Sequence, residues 1–367
     1  MTAPTPVEIE LLAYNLLAPV FVQVPGAPYS DFAHVAPEHL DEARRIPRLL
    51  DRIRRLRPDV ACLQEVQFEP GDEAAGELPW VPPRALRRFA EAEGFRVVPA
   101  PLTAGQWRSQ QRRNERATGR SACVGLVTLL GPRAEAPTAP IASSKALIVG
   151  FEIAGARFSV VNVHLEGHPD KRGPRCEQMQ GALRKAARLG TRHLVVAGDF
   201  NADLTDEPDL VRAVADRAGG ATRADTGLTW SGQPGVARRV DHVVLGPSLE
   251  VVSAMGHLDP AEVASGLPSA EQPSDHVPVV ARVRIRGAPA TLASAAASPP
   301  PATALRPERA QALERAWRAL LAEAPPKPPG PPDPEARAAL KAFKVRKQAF
   351  LEGLDSDAER RFVRKLS

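Results

Sequence analysis

The sequence predicts an α/β chain: two mixed sheets packed against each other with helices outside, and a helical extension after them. Three observations carry this. Short apolar runs recur with turn residues between them, many rich in Val and Ile; amphipathic helical patterns lie between some of the runs; and one pair of runs is joined too tightly for a helical crossover.

The runs are Val7 to Tyr14, Val60 to Leu63, Ala122 to Leu130, Ala146 to Ile153, Phe158 to Leu165, Leu194 to Ala197, Val240 to Leu245 and Val277 to Ile285. Each is short enough for a strand. Gly155 between Ile148–Ile153 and Arg157–Val163 reads as a hairpin, so the sheets should be mixed. Helical spacing runs from Glu38 to Leu56 (Leu40, Ile46, Leu49, Leu50, Ile53), from Arg84 to Glu93, and from Pro174 to Leu189 (Met179, Leu183, Ala186, Ala187). At Gly287 the texture changes to Ala, Pro and Ser, which reads as a linker to Leu305. Two further helical patterns follow, Pro307 to Glu323 with Leu313, Trp317, Leu320 and Leu321 on one stripe, and Pro334 to Leu354 with Leu340, Phe343, Phe350 and Leu354.

With 367 residues, 43% of them hydrophobic, the chain can bury a large core. The net charge of +5 is uneven: the first 300 residues carry 34 basic and 34 acidic residues, so the whole excess falls beyond them. Cys62, Cys123 and Cys176 are too few and too scattered for a disulfide framework or a thiolate zinc site. The N-terminus has no basic n-region and no stretch approaches a membrane span, so a cytoplasmic protein with no membrane contact is expected.

Six places carry chemistry-bearing residues at the edges of apolar runs. They are Tyr14-Asn15, Leu63-Gln64-Glu65, Asn162-Val163-His164, Gly198-Asp199-Phe200-Asn201, Val240-Asp241-His242 and Ser274-Asp275-His276-Val277-Pro278. Taken singly, each has an ordinary explanation: a turn asparagine, a solvated strand-end glutamate, a satisfied core histidine. In the fourth, a glycine that lets ligand and backbone approach closely precedes a carboxylate and an amide two residues apart. The candidate ligands are oxygen donors without a cysteine cluster, which favours Mg²⁺ or Mn²⁺ over Zn²⁺.

In order and combination, these six blocks resemble the endonuclease/exonuclease/phosphatase superfamily over roughly Val7 to Ile285. The resemblance implies a four-layered α/β/β/α sandwich and a metal-dependent phosphoesterase that cuts a phosphodiester by direct attack of water. It implies Glu65 as the main magnesium ligand with Asn15 and Asp275 assisting, and Asp199 as the group that orients or deprotonates water. It further implies that Asn201 contacts the scissile phosphate and that His276 stabilises developing charge with Asp241 holding its ring. His164 would contact phosphate or assist the leaving oxygen. The catalytic domain is then 1–286, the linker 287–305 and the basic helical extension 306–367.

Tyr14 to Ala18, Arg44 to Leu50, Pro58 to Val66 and Arg175 to Gly181 are similar to the deadenylase, nocturnin and 2′-phosphodiesterase branch. Two departures count against a poly(A)-specific enzyme: Ala-Asp-Leu-Thr follows Asn201 where deadenylases carry Ser-x-Pro, and His242 stands where an aromatic often follows the aspartate. RNA or a short oligonucleotide is the expected substrate. The alternatives are a phospholipid or inositol phosphate phosphoesterase and an inactive binding protein on the same fold. Gln106 to Arg120 reads as an arginine-rich loop in which Arg112 and Arg113 contact backbone phosphates and Trp107 stacks a base, or else as a solvated surface. The extension, with Lys341, Lys344, Arg346 and Lys347 on one helix, either recruits a polyanion or protein partner or packs back on the domain.

Overall fold

The structure, a computed structural model, describes residues 7–22, 32–72, 78–287 and 307–323, with 339, 342, 343, 346 and 350 beyond them. The chain divides into two compact units, Met1–Gly287 and Ala288–Ser367.

Among the described residues, the larger unit holds two main sheets. The first runs in the order β14 (Leu249–Met255), β15 (Val279–Ile285), β1 (Glu8–Asn15), β2 (Val60–Pro70), β5 (Cys123–Leu130) and β4 (Arg96–Pro99), with β3 (Trp80–Val81) paired to the far end of β2. The second runs β10 (Thr222–Arg223), β13 (Asp241–Leu245), β9 (His193–Asp199), β8 (Ala156–His164), β7 (Ala146–Ile153) and β6 (Ile141–Ser143). A two-stranded ribbon pairs β11 (Trp230–Gln233) with β12 (Val236–Arg238). Both main sheets are mixed, as expected: β1–β2 and β8–β9 are parallel and their other pairings antiparallel.

Period-two alternation along buried strands sorts the apolar residues into layers. Leu11, Ala13, Val60, Cys62, Val149, Val160, Val195, Ala197, Val243 and Val279 face the other sheet and form the central core. Leu12, Tyr14, Ala61 and Leu63 face outward against α3 (Glu42–Leu56), α4 (Arg84–Glu93) and α5 (Ala104–Thr118) through Leu49, Ile53, Leu86, Phe89 and Trp107. On the far side, Ile148, Val161, Val163, Val196 and Val244 pack on α6 (Arg172–Ala186) and α7 (Pro208–Ala218) through Met179, Leu183, Leu210 and Val214. These are the four layers of an α/β/β/α sandwich. Short helices α1 (Pro19–Val22), α2 (Pro37–Leu40) and α8 (Pro260–Ser265) lie in its loops.

Several details differ from the expectation. The helix read from Glu38 to Leu56 breaks at Asp41, which is extended and caps α3 by accepting from Ala43 N at 3.2 Å. The arginine-rich stretch is not a loop but α5, started by a capping box between Thr103 and Gln106. Trp107 is correspondingly unavailable to stack a base: it is 4% exposed and packs against Phe68 with centroids 4.9 Å apart. Strand β14, the β11–β12 ribbon and α7 were not anticipated.

In the smaller unit, α9 (Pro307–Ala322) follows the expected stripe, and Trp317 stacks with Phe350 at 5.4 Å between centroids. The linker and most of the second predicted helix lie outside the described residues.

Candidate active site

The same alternation that builds the central core aims polar side chains between the sheets where the strands end. Asn15 shares the parity of Leu11 and Ala13, His164 that of Phe158 and Val160, Asp199 that of Val195 and Ala197, and Asp241 that of Val243 and Leu245. All four therefore converge at one end of the inter-sheet space. Glu65 has the wrong parity. A bulge between Leu63 and Val66, with Glu65 at φ 52°, turns its carboxylate into the same space. The sixth block enters on the loop before β15, where Ser274 Oγ donates to Asn15 O at 2.7 Å and accepts from His276 N at 3.2 Å.

The buried platform under the site is polar and tightly specified. Gln64 Nε2 donates across the sheets to Asn162 Oδ1 at 2.8 Å, and Asn162 Nδ2 donates to Val127 O at 3.0 Å and Leu63 O at 3.2 Å. A buried amide pair with partners of its own fixes the register of one sheet on the other. Gly198 lies beside it at φ 140°, and a Cβ there would meet Val163 O at 2.1 Å and Gln64 Nε2 at 3.1 Å.

Asp199 is the hub. Its Oδ1 accepts from Asn201 N at 2.8 Å, while Oδ2 accepts from Asn15 Nδ2 at 3.1 Å. Oδ2 also lies 3.6 Å from His164 Nε2 and 3.9 Å from His276 Nε2. Burial raises the Asp199 carboxyl to about 7, with Asp241 adding to the rise and His276 opposing it. His276 Nδ1 is 2.8 Å from Asp241 Oδ2. Burial works against charge on that ring, but Asp241, Asp275 and Asp199 overcome it and hold the imidazole well above its usual range. His164 is pushed the other way by burial, with Lys145 and His276 adding to the effect. The two rings are thus shifted in opposite directions, the kind of separation that assigns acid and base roles.

Glu65 accepts from Ala18 N at 3.1 Å and from Asn15 Nδ2 at 3.3 Å; burial and then Asp275 raise its carboxyl. The nearest ring nitrogen, His164 Nε2 at 3.8 Å, belongs to the ring shifted downward. A half-buried carboxylate that feels a second one, with oxygen-rich surroundings, fits a hard divalent cation. Asp199, Asp241 and His276 also offer atoms within 4.8 Å of one another. Asn15, expected as a metal ligand, lies between the two carboxylates: its Oδ1 accepts from Leu17 N at 3.0 Å and keeps a second lone pair, and its Nδ2 bridges Glu65 and Asp199. It holds two carboxylates together by donating to both.

Other expected residues are placed as follows. Asn201, at φ 53°, donates one side-chain N–H to Leu165 O at 3.1 Å, leaving its second free to donate. Asp275 Oδ2 accepts from Trp230 Nε1 at 2.8 Å. His242 has opposite parity to Asp241 and points away from the site, its Nε2 2.9 Å from Ala202 O and its ring edge-on to Phe200. Arg112 and Arg113 are exposed on α5.

Three residues support the site: Trp230, passed over in the sequence, and Arg45 and Arg175, which lie in the stretches similar to the deadenylase branch but had no role assigned. Trp230 orients Asp275. Arg45 is fully buried and donates to Leu16 O at 2.8 Å, Pro273 O at 2.9 Å and Leu17 O, clipping the loop after Asn15 to the loop before Asp275. Arg175, paired with Glu207, donates to the carbonyls of Glu166, His168 and Pro169 and so shapes the loop after His164.

A model of the Endonuclease/Exonuclease/phosphatase family matches residues 38–276. The chain belongs to this family. Solved structures agree on the fold of this family member. An ANGEL2 structure, titled a 2′,3′-cyclic phosphatase in complex with adenosine-2′,3′-vanadate, aligns at 15% identity and a TM-score of 0.56 over 76% of this chain and 96% of that one. The human Nocturnin catalytic domain with bound sulfate aligns at 18% identity and a TM-score of 0.52 over 77% and 94%. A family protein from Bacteroides thetaiotaomicron aligns at 17% identity and a TM-score of 0.53 over 77% and 100%. No curated protein matches at the sequence level. Among the described residues, no helix is long and apolar enough to cross a membrane.

Proposed function

We propose that the chain hydrolyses a phosphodiester in RNA or a short oligonucleotide by direct attack of water, with a divalent cation, Mg²⁺ or Mn²⁺, held by Glu65 and Asp275. The observation that carries this reading is the convergence of the His164 and His276 Nε2 atoms on Asp199 Oδ2, at 3.6 and 3.9 Å. When bound, the cation neutralises phosphate charge and the charge growing on the leaving oxygen.

The protein's own groups divide the remaining work. Asp199, anchored through Oδ1, turns Oδ2 toward the space between the histidines and orients and deprotonates the attacking water. His276, held by Asp241, donates to the phosphoryl oxygen on which charge accumulates. His164 and the second N–H of Asn201 contact the phosphate. Arg112 and Arg113 on α5 steer a polyanionic substrate. Each catalytic position is filled, which argues against an inactive scaffold. The ANGEL2 structure holds an adenosine-2′,3′-vanadate, which supports nucleotide phosphate chemistry on this fold.

Purified protein with Mg²⁺, offered labelled RNA, DNA, 2′,5′-linked adenylates and inositol phosphates, tests the reading. Cleavage of RNA or an adenylate is expected. Turnover of inositol phosphates alone would overturn the nucleic-acid assignment.

A further inference from the structure

We propose that Lys145, assisted by Arg113, forms a subsite for a second phosphate group of the substrate, beside the one that is hydrolysed. This rests on the phosphoesterase reading of the neighbouring site.

The argument begins with strand order. β13, β9, β8 and β7 are successive neighbours, with Asp241 opposite Asp199, and His164 opposite Asp199 in the next pairing. Ala146 pairs with Val163, so Lys145 continues the row opposite His164, whose N donates to Lys145 O at 3.0 Å. Adjacent strands lie about 4.8 Å apart, which sets the Lys145 backbone about one spacing from His164 and about two from Asp199.

The row thus reads Asp241, Asp199, His164, Lys145. The first three, with His276, serve the phosphate under attack. Lys145 lies one strand beyond them.

Its surroundings fit an absent anion. Lys145 occupies the two-residue turn between β6 and β7 at φ 62°, a left-handed conformation uncommon for lysine. Its ammonium makes no hydrogen bond or ion pair among the described residues. Burial works against its charge and Arg113 adds to that, while Glu166, Glu65 and Asp199 favour it from a distance. A half-buried ammonium with no ion pair among the described residues, at the end of a row of polar groups, is completed by a phosphate. The scissile phosphate is not the natural occupant, because His164 holds the row position between Asp199 and Lys145. A neighbouring phosphate along an oligonucleotide, or the second group of a nucleoside bisphosphate, falls on the Lys145 side. The subsite therefore selects substrates with more than one phosphate over those with one.

The test is binding, which reads out independently of turnover. Adenosine 3′,5′-bisphosphate and adenosine 5′-monophosphate are titrated calorimetrically into the full-length wild-type protein, Lys145→Met and Lys145→Asn. Asparagine is at ease in the left-handed region, so the second variant guards against misfolding of the turn. The wild type is expected to prefer the bisphosphate by about tenfold or more, the scale of one charge-assisted contact. Both variants should lose that preference while keeping their affinity for the monophosphate, and Lys145→Arg should retain it. A wild type with no preference, including one that binds neither compound, overturns the subsite, as does a preference unchanged in both variants. Failure of the phosphoesterase reading would show separately, as absence of turnover on every phosphate ester.

Discussion

Substituting Gly198 by alanine tests whether the catalytic strand is packed as tightly as the structure says. The new Cβ would lie 2.1 Å from Val163 O, where ordinary contact begins at 3.4 Å, so strand β9 must move from β8 by about 1.3 Å. That shift falls on the parallel pairing of Val163 with Gly198, one residue before Asp199. Holding an L-residue at φ 140° adds about 1–3 kcal/mol, and loosening one buried backbone group about 1–3 more. A loss of about 2–6 kcal/mol is a large share of the roughly 5–15 kcal/mol that keeps a domain folded. At about 2–4 °C per kcal/mol, melting should fall by on the order of 10 °C. Gly173→Ala is the control: its Cβ meets nothing within 4 Å and its site is helical, so a small gain is expected. The assay is thermal unfolding of both variants by circular dichroism, alongside turnover at a temperature where each is folded. If Gly198→Ala melts within about 2 °C of the wild type, the reasoning from close approach is wrong.

Asp199→Asn should bind substrate normally and slow the chemical step by about 10²- to 10⁴-fold, measured by single-turnover kinetics; weak binding with normal turnover would make Asp199 a binding group. Asp241→Asn and His276→Ala should be strongly non-additive in kcat, because one orients the other; multiplying losses in a double-mutant cycle refute the pairing. Glu65→Gln should weaken Mg²⁺ affinity measured by calorimetry, and full wild-type activity in excess EDTA would sink the metal assignment. His242 is held at about 4 in the folded chain, below its ordinary 6.5, chiefly by burial. The unfolded chain therefore takes up that proton first: the stabilisation is complete above about pH 6.5 and is lost as pH falls toward 4, about 3 kcal/mol in all. Urea unfolding of His242→Gln should show a correspondingly shallower acid limb, and parallel limbs for the two proteins would refute it. Truncation after Pro300 should leave turnover of a short substrate unchanged but weaken long RNA and flatten its salt dependence; a large drop in melting temperature would mean instead that the extension packs on the domain.

The legible parts of this protein are those written in local pattern. Valine-rich runs revealed the strands, and the polar residues closing them, Asn15, His164, Asp199 and Asp241, share the parity of the inward-facing core, so their convergence follows from the period of a strand. Glu65 follows no such rule, because its direction depends on a bulge visible only in the pairing with β5. The orientation of the Asn15 amide was out of reach for a related reason: which end faces the carboxylates depends on a backbone donor two residues on, at Leu17. The role of Arg45 and the presence of Trp230 in the site were out of reach because their partners, Pro273 and Asp275, stand 228 and 45 residues away. The arginine spacing of α5 suggested solvent or phosphate, and it hid Trp107, Asn114 and Thr118, the buried side of a helix.

The pairing of β1 with β15 has a further consequence for the order in which the protein becomes competent. Glu8 lies opposite Arg284, so the first strand made waits for the last before that edge is covered. His276 and Asp275 arrive with the same late segment. During synthesis the early strands can collapse on α3 and α4, yet the emerging chain lacks His276 and Asp275, which the proposed mechanism requires. Under that mechanism hydrolysis is switched on only when the domain is nearly whole, and the uncovered β1 edge is the stretch most exposed to wrong partners until then.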